Sequence, residues 1–173
     1  MKLTKILKEV MSEIGDASKQ PYGPIDTITD DEAERQYGFT TDSGTIYEVK
    51  VETFYRGEGK PVIARVQFGI IGEDGDISYD AQTAENDIYR VMATIVAVVK
   101  KDLESNPADI IEFNPSKRSV KPNSKRARAG IKIDTDAMNN VRTQLYSRYI
   151  KGQFKDAKVT RTLYGDIRVD LKK

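Results

Sequence analysis

The chain contains neither cysteine nor histidine. Without cysteine there is no disulfide, no thiolate nucleophile and no thiolate-ligated metal. Without histidine, serine–histidine and cysteine–histidine catalysis, imidazole proton relays and almost every zinc site are excluded. Any catalysis would fall to carboxylates, tyrosines, lysines or backbone dipoles. An excess of one charge is also lacking. Lys and Arg number 28 against 27 Asp and Glu, a net charge of +1, so any preference for nucleic acid or membrane has to come from a local patch. Long hydrophobic runs are missing too. Ile88–Leu103 comes nearest, but Arg90, Lys100, Lys101 and Asp102 interrupt or flank it, short of the roughly 18 apolar residues that span a bilayer. The opening MKLTKILKEVMSEIGD carries Lys5, Lys8 and Glu9 inside its apolar pattern, unlike a signal-peptide core, so the expectation is a cytosolic protein with no membrane contact.

What is present fits one soluble domain. The 173 residues, 38% hydrophobic and 32% charged, are enough to bury a core without staples. Leu3, Ile6, Leu7, Val10, Met11 and Ile14 follow helical spacing, which predicts an N-terminal helix within 1–19, ended near Gly15. A helix of about fourteen residues is marginal alone. It has to dock on its own domain or, as an arm, on a neighbour. The connector Gln20-Pro-Tyr-Gly-Pro24 and the acidic stretch Asp26–Glu34 read as surface loop.

Three strands are expected next. Arg35–Thr41 ends at the Asp42-Ser43-Gly44 turn. Thr45–Arg56 alternates, with Tyr47, Val49, Val51, Thr53 and Tyr55 on one face and Glu48, Lys50 and Glu52 on the other. Val62–Ile71 keeps Val62, Ala64, Val66, Phe68 and Ile70 in phase, completing an antiparallel meander with one buried face. Ile77–Ala81 follows as a brief edge strand. Ile88, Val91, Met92, Ile95, Val99 and Leu103 form the stripe of a long helix, capped by Thr83 and stopped by Asn106-Pro107. Ile110, Ile111 and Phe113 suit an interior strand. Met138, Val141, Leu145, Tyr149 and Ile150 mark a last helix, and Lys158–Leu163 pairs with Ile167–Leu171 in a closing hairpin. The class is α+β: a mostly antiparallel sheet flanked by helices, in the order helix, meander, helix, strand, helix, hairpin.

This order, with Asn139-Asn-Val-Arg-Thr-Gln-Leu-Tyr146 in the last helix, resembles the acyl-CoA N-acyltransferase (GNAT) fold. The resemblance implies acetyl-CoA as cofactor and Tyr146 as a general acid toward a leaving thiolate, with a carboxylate such as Glu52 or Glu112 as base. The chain departs from that family where a Gly-rich turn would cradle pyrophosphate. Tyr79-Asp-Ala-Gln-Thr-Ala-Glu-Asn-Asp87 has no glycine, and each of Asp80, Glu85 and Asp87 would oppose a diphosphate by on the order of a kcal/mol. The expectation is therefore a GNAT-like scaffold without a cofactor.

A second resemblance spans nearly the whole chain. It rests on KILKEVMSEIGD with Pro21-Tyr22, Phe39-Thr-Thr-Asp-Ser-Gly-Thr-Ile-Tyr-Glu-Val49, Arg90-Val-Met-Ala-Thr94, Asp109-Ile-Ile-Glu-Phe-Asn-Pro-Ser-Lys117, Leu145-Tyr146 and Gly165-Asp-Ile-Arg-Val-Asp-Leu171. These segments resemble an uncharacterised family of tailed-bacteriophage proteins. That implies a phage product acting in the cytoplasm of a bacterial host or in the virion, with a phage or host protein as partner.

Two constellations carry charge. Ser116–Ile133 holds Lys117, Arg118, Lys121, Lys125, Arg126, Arg128 and Lys132 and not one acid. It reads either as a contact surface for an acidic protein or a nucleic acid, or as a solvated flexible loop within 115–135. It lacks an aromatic residue for base stacking, which disfavours a dedicated single-strand binder. Gly72-Glu-Asp-Gly-Asp-Ile77 clusters carboxylates without the spacing of a calcium loop and reads as a polar turn. The combined expectation is a non-enzymatic protein acting by contact. An atypical acyltransferase and a nucleic-acid binder are the alternatives.

Overall fold

The computed structural model describes residues 20–78, 88–114, 141–162 and 166–171, with backbone alone for 141–145. The predicted N-terminal helix, the 79–87 stretch and the whole basic segment lie outside the described residues.

Period-two alternation builds the centre of the molecule. Strands β1 (Asp26–Asp30), β2 (Glu34–Thr40), β3 (Ile46–Phe54) and β4 (Ile63–Ile71) form a continuous antiparallel meander. The two-residue β5 (Ile77–Ser78) folds back on the carboxyl end of β4. Helix α1 (Ile88–Ser105) then crosses over to β6 (Ile110–Asn114), which pairs in parallel with the first half of β4, Ile63 opposite Ile110 and Gln67 opposite Asn114. Helix α2 (Val141–Gln153) leads to β7 (Lys158–Arg161) and β8 (Ile167–Asp170). The strands make one eight-stranded sheet in the order β1-β2-β3-β4-β6-β8-β7, with β5 branching from β4. The expected α+β class, with its mostly antiparallel sheet, is what is observed.

Register gives the sheet two unlike faces. Tyr37, Val49 and Phe68 lie in one transverse row, and Val51, Val66 and Phe113 in another. These side chains, with Ile111, Ile167 and Val169, form the buried core against Val91, Met92, Ile95, Val98 and Val99 of α1 and Tyr146 and Ile150 of α2. Both described helices thus cover the same face, the helix face. Tyr89 in the first turn of α1 meets Tyr149 of α2 at 6.1 Å between ring centroids. Burial pushes the Tyr149 phenol up from its ordinary range.

The stretch expected to be surface loop, 20–34, departs from that expectation twice. Asp26–Asp30 is a strand, although all five residues are exposed. It is held by backbone pairing to β2 at the edge of the sheet, so it has no buried face and leaves no period-two signature. Tyr22 is the second departure. It belongs to the core, inserted between strand β2 and helix α1.

One ionic cluster is buried on the helix face. Asp102 of α1 accepts from both Nε and Nη2 of Arg35, at 2.9 and 2.8 Å, and both side chains are fully buried. The Tyr37 hydroxyl donates to the same carboxylate at 2.7 Å. Arg35 Nη1 donates to Thr53 Oγ1 at 2.8 Å and to the Glu32 carbonyl at 2.9 Å. The Asp102 hydrogen bond raises the Arg35 pKa further, and burial holds the Tyr37 phenol well above the usual tyrosine range. The cluster fastens β2 to α1 with its donors and acceptors matched, the condition under which a buried pair is tolerated.

Candidate functional site: the loop end of the sheet

The carboxyl ends of the parallel strands β4 and β6, the β2–β3 turn and the first turn of α1 lie at one end of the sheet. A strand–helix–strand crossover places open backbone ends and loops there, where ligands commonly sit in such folds.

Three rings stack at this end. Tyr22 lies on Phe39 at 6.1 Å and 13° between ring planes, and Phe39 on Tyr47 at 5.1 Å and 4°. Arg90 caps the stack, its guanidinium carbon 4.0 Å from the Tyr22 ring centroid. The same guanidinium donates to Asp42 Oδ2 at 2.6 Å and to the Gln20 carbonyl at 3.0 Å. Thr94, one turn further along α1, accepts from the Tyr22 backbone N–H at 2.8 Å and donates to the Arg90 carbonyl. Pro21-Tyr22, the Phe39–Val49 hairpin and Arg90–Thr94 are three of the segments that carry the phage resemblance. The fold brings them into one clasp. Its chemistry is stacking, capping and hydrogen bonding, which position a chain segment.

No family model matches the chain, and neither a curated protein nor a solved structure matches it.

The structure separates the residues read as an acid–base set. Tyr146 is buried on the helix face, its ring tilted against Phe68 at 5.8 Å. Glu52 and Glu112 project from the other face, since they alternate with Val51 and with Ile111 and Phe113. Lys50 lies 3.2 Å from Glu52, while Arg65 and Arg168 flank Glu112 at 3.6 and 3.7 Å. The sheet stands between the proposed acid and either base. The turn at Gly72–Asp76 is likewise a turn. Gly72 N–H donates to the Asp76 carbonyl at 2.8 Å, Asp74 Oδ1 accepts from Asp76 N–H at 3.1 Å, and Gly75 takes φ of 83°. Among the described residues no group of three or more carboxylates could hold a metal ion.

The far face is organised in transverse rows. Glu34, Glu52, Arg65, Glu112 and Arg168 stand opposite one another across five strands. The next row is Gln36, Lys50, Gln67 and Asn114. Lys50 bridges the two rows, 2.8 Å from Glu34 Oε2. That contact holds the Glu34 carboxyl below its ordinary value and raises the Lys50 ammonium above its own. A third row is Asp26, Gly38, Glu48 and Gly69. Glu48 is 5% exposed, and its Oε1 is buried and accepts no hydrogen bond. Burial pushes its carboxyl up, with Lys50 acting against the shift and Glu34 adding to it.

Lys117, Arg118, Lys121, Lys125, Arg126, Arg128 and Lys132 all fall outside the described residues. Their segment leaves the sheet at Asn114, the carboxyl end of β6, and the chain is next described at Val141 in α2. Sequence reasoning missed the clasp, the Arg35–Asp102 pair and Glu48. A signal existed for the pair: Arg35 alternates with Tyr37 and Phe39, while Asp102 stands three and seven residues after Val99 and Ile95. Each is a lone charge on an apolar stripe.

Proposed function

We propose that this chain is a non-enzymatic bacteriophage protein that works by contact, in the virion or in the host cytoplasm. Its contact element is the basic segment from Ser116 to Ile133. The observation that carries this reading is seven cations without an acid on a segment that follows the interior strand β6, whose carboxyl end lies at the loop end of the sheet. Two further features support it. The residues of the phage resemblance that gather at the clasp have packing roles. Tyr146 and the two carboxylates that would serve it are on opposite faces of the sheet.

The test is affinity capture of the full chain from infected cells, with Lys125→Glu/Arg126→Glu/Arg128→Glu as control. A phage or host protein retained by the wild type and lost by the triple variant is the expected result. Binding to duplex DNA whose affinity falls steeply with salt, and with the same triple variant, would assign a nucleic-acid partner instead. Capture unaffected by the three reversals would end the proposal for this segment.

The sheet order supports a second reading of the scaffold. Strand β4 continues through α1 into the parallel strand β6, and β8 inserts between β6 and β7. This suits a GNAT-like framework, and with it an atypical acetyl-CoA acyltransferase. Stabilisation of the chain by acetyl-CoA, lost in Tyr146→Phe, would favour that activity over contact.

A further inference from the structure

Glu48 occupies an unusual position for a carboxylate. It stands in β3, an inner strand of the meander, with a glycine opposite it on each side, Gly38 on β2 and Gly69 on β4. Over Gly38 that space is taken by the Ile28 side chain, and over Gly69 by the Ser78 backbone and the Ile77 side chain. A Cβ at Gly38 would meet Ile28 Cδ1 at 3.3 Å, and one at Gly69 would meet Ile77 Cγ2 at 2.9 Å. Ile46, two residues before Glu48, shares its face, and so does Ile71, which is paired with Ile77. Four isoleucines therefore share the face of this carboxylate, on its own strand and on nearby strands. Ile28 and Ile46 form the outer rim and are 50% and 45% exposed.

Among the described residues, no charge facing Glu48 donates a hydrogen bond to its Oε1. From β3, Lys50 is turned to Glu34 and Glu52. From β2 the nearest charge is Glu34, and from β1 it is Asp26, in the same row as Glu48. On β4 and β5 the described neighbours on this face are Gln67 and Ile77, which are uncharged. A buried carboxylate oxygen with no donor is costly, and a cation delivered to it recovers that cost. The apolar rim selects among cations, because a hydrated metal ion gains nothing from isoleucine whereas an alkyl stem does.

We propose that the far face binds an organic cation at Glu48: an ammonium on an alkyl chain, whose charge pairs with Oε1 and whose stem packs on Ile28 and Ile46. Ile28 is the movable part of the site. It falls in the irregular step of β1 between Thr27 and Thr29, on an edge strand whose five residues are all exposed. Its displacement therefore costs little packing. The proposal does not rest on the reading of the basic segment.

The test is titration of the 15N-labelled full chain with n-hexylammonium chloride at neutral pH, followed through backbone amide resonances. Saturable shifts at Gly38, Glu48 and Gly69 are expected, with affinity at least about tenfold lower in Glu48→Gln, which keeps shape and removes charge. The neutral isostere n-hexanol should bind no better than the ammonium does to that variant. Saturation with the ammonium should also lower the pKa of the Glu48 carboxyl, read from its side-chain carbon shift. No saturable shift, equal affinity in Glu48→Gln, or equal binding of hexanol would overturn the proposal. A capped Ala-Ile-Lys-Ile-Ala peptide distinguishes the two sources of such a group. Tighter binding than hexylammonium assigns a lysine side chain, and weaker binding assigns a free amine; either ranking supports the cation site.

Discussion

Two carboxylates are buried on opposite faces of one sheet and are treated in opposite ways. Asp102, on the helix face, receives four side-chain donors, two from Arg35 and one each from Tyr37 and Asn106, and is held beneath α1. Glu48, on the far face, has an oxygen that receives none. The first is a rivet, since each partner fixes the other and both fix the crossing of α1 over β2. The second is a standing cost within an otherwise well-paired surface. A buried charge joins the architecture where its partners are built in, and stays available where they are not.

The comparison can be broken most severely at Asp102. Asp102→Ala leaves Arg35 charged and buried, and should cost about 3–5 kcal/mol in denaturant unfolding. Replacing the pair together, as Arg35→Met/Asp102→Leu, should recover much of that loss. If the single and double variants lose equally, the ion pair is not what secures α1. The next effect in size belongs to Gly69, where an added Cβ would lie 2.8 Å from the Ser78 carbonyl oxygen. Gly69→Ala should cost about 1–3 kcal/mol by prising β5 from β4. Faster hydrogen exchange at Ile77 and Ser78 would accompany it. A Gly69→Ala protein with unchanged stability would show that β5 adjusts freely.

Glu48→Gln should act in the other direction and stabilise the fold by about 1 kcal/mol at pH 7. The sign follows from linkage. A carboxyl whose pKa is raised in the folded state binds its proton more readily there than in the unfolded chain. Its contribution is most favourable at low pH. It declines as pH rises from the ordinary glutamate value through the raised one, so the advantage of the Glu48→Gln variant should grow across that window and then level off. An advantage that is the same at pH 3.5 as at pH 7 would contradict this account. Smallest of all is Lys50→Ala. Its contacts to Glu34 and Glu52 are partly solvated, so the loss should stay within about 1 kcal/mol and shrink in high salt.

How much of this was legible in the sequence depended on whether a residue's neighbours shared its periodicity. Strands β2, β3 and β4 and helix α1 each bury a clean stripe, so Tyr47, Val49, Val51, Val91 and Ile95 announced their faces. Strand β1 exists through backbone pairing alone, which no side-chain pattern records. Tyr22 sat among prolines and glycine, a composition that signals turn, and its burial depends on Phe39 and Arg90 being brought to it. Glu48 obeyed the alternation and was placed on the solvent side. It stands between Gly38 and Gly69 on the neighbouring strands, a coincidence of register rather than of local sequence. The basic segment was plain as chemistry, and its position in space does not follow from that chemistry.

Strand β4 has a consequence for the order of assembly. Its pairing with β3 closes within a short stretch of chain, but its pairing with β6 joins residues 47 apart, as at Ile63 and Ile110. Loop-closure entropy makes the first pairing early and the second late, and α1 has to be in place before β6 can find its edge. Weakening the β3–β4 hairpin should therefore slow refolding, while weakening β6, β7 or β8 should chiefly speed unfolding. The half of the sheet that carries Glu48 would form first, and the half from which the basic segment departs would form upon it as a template.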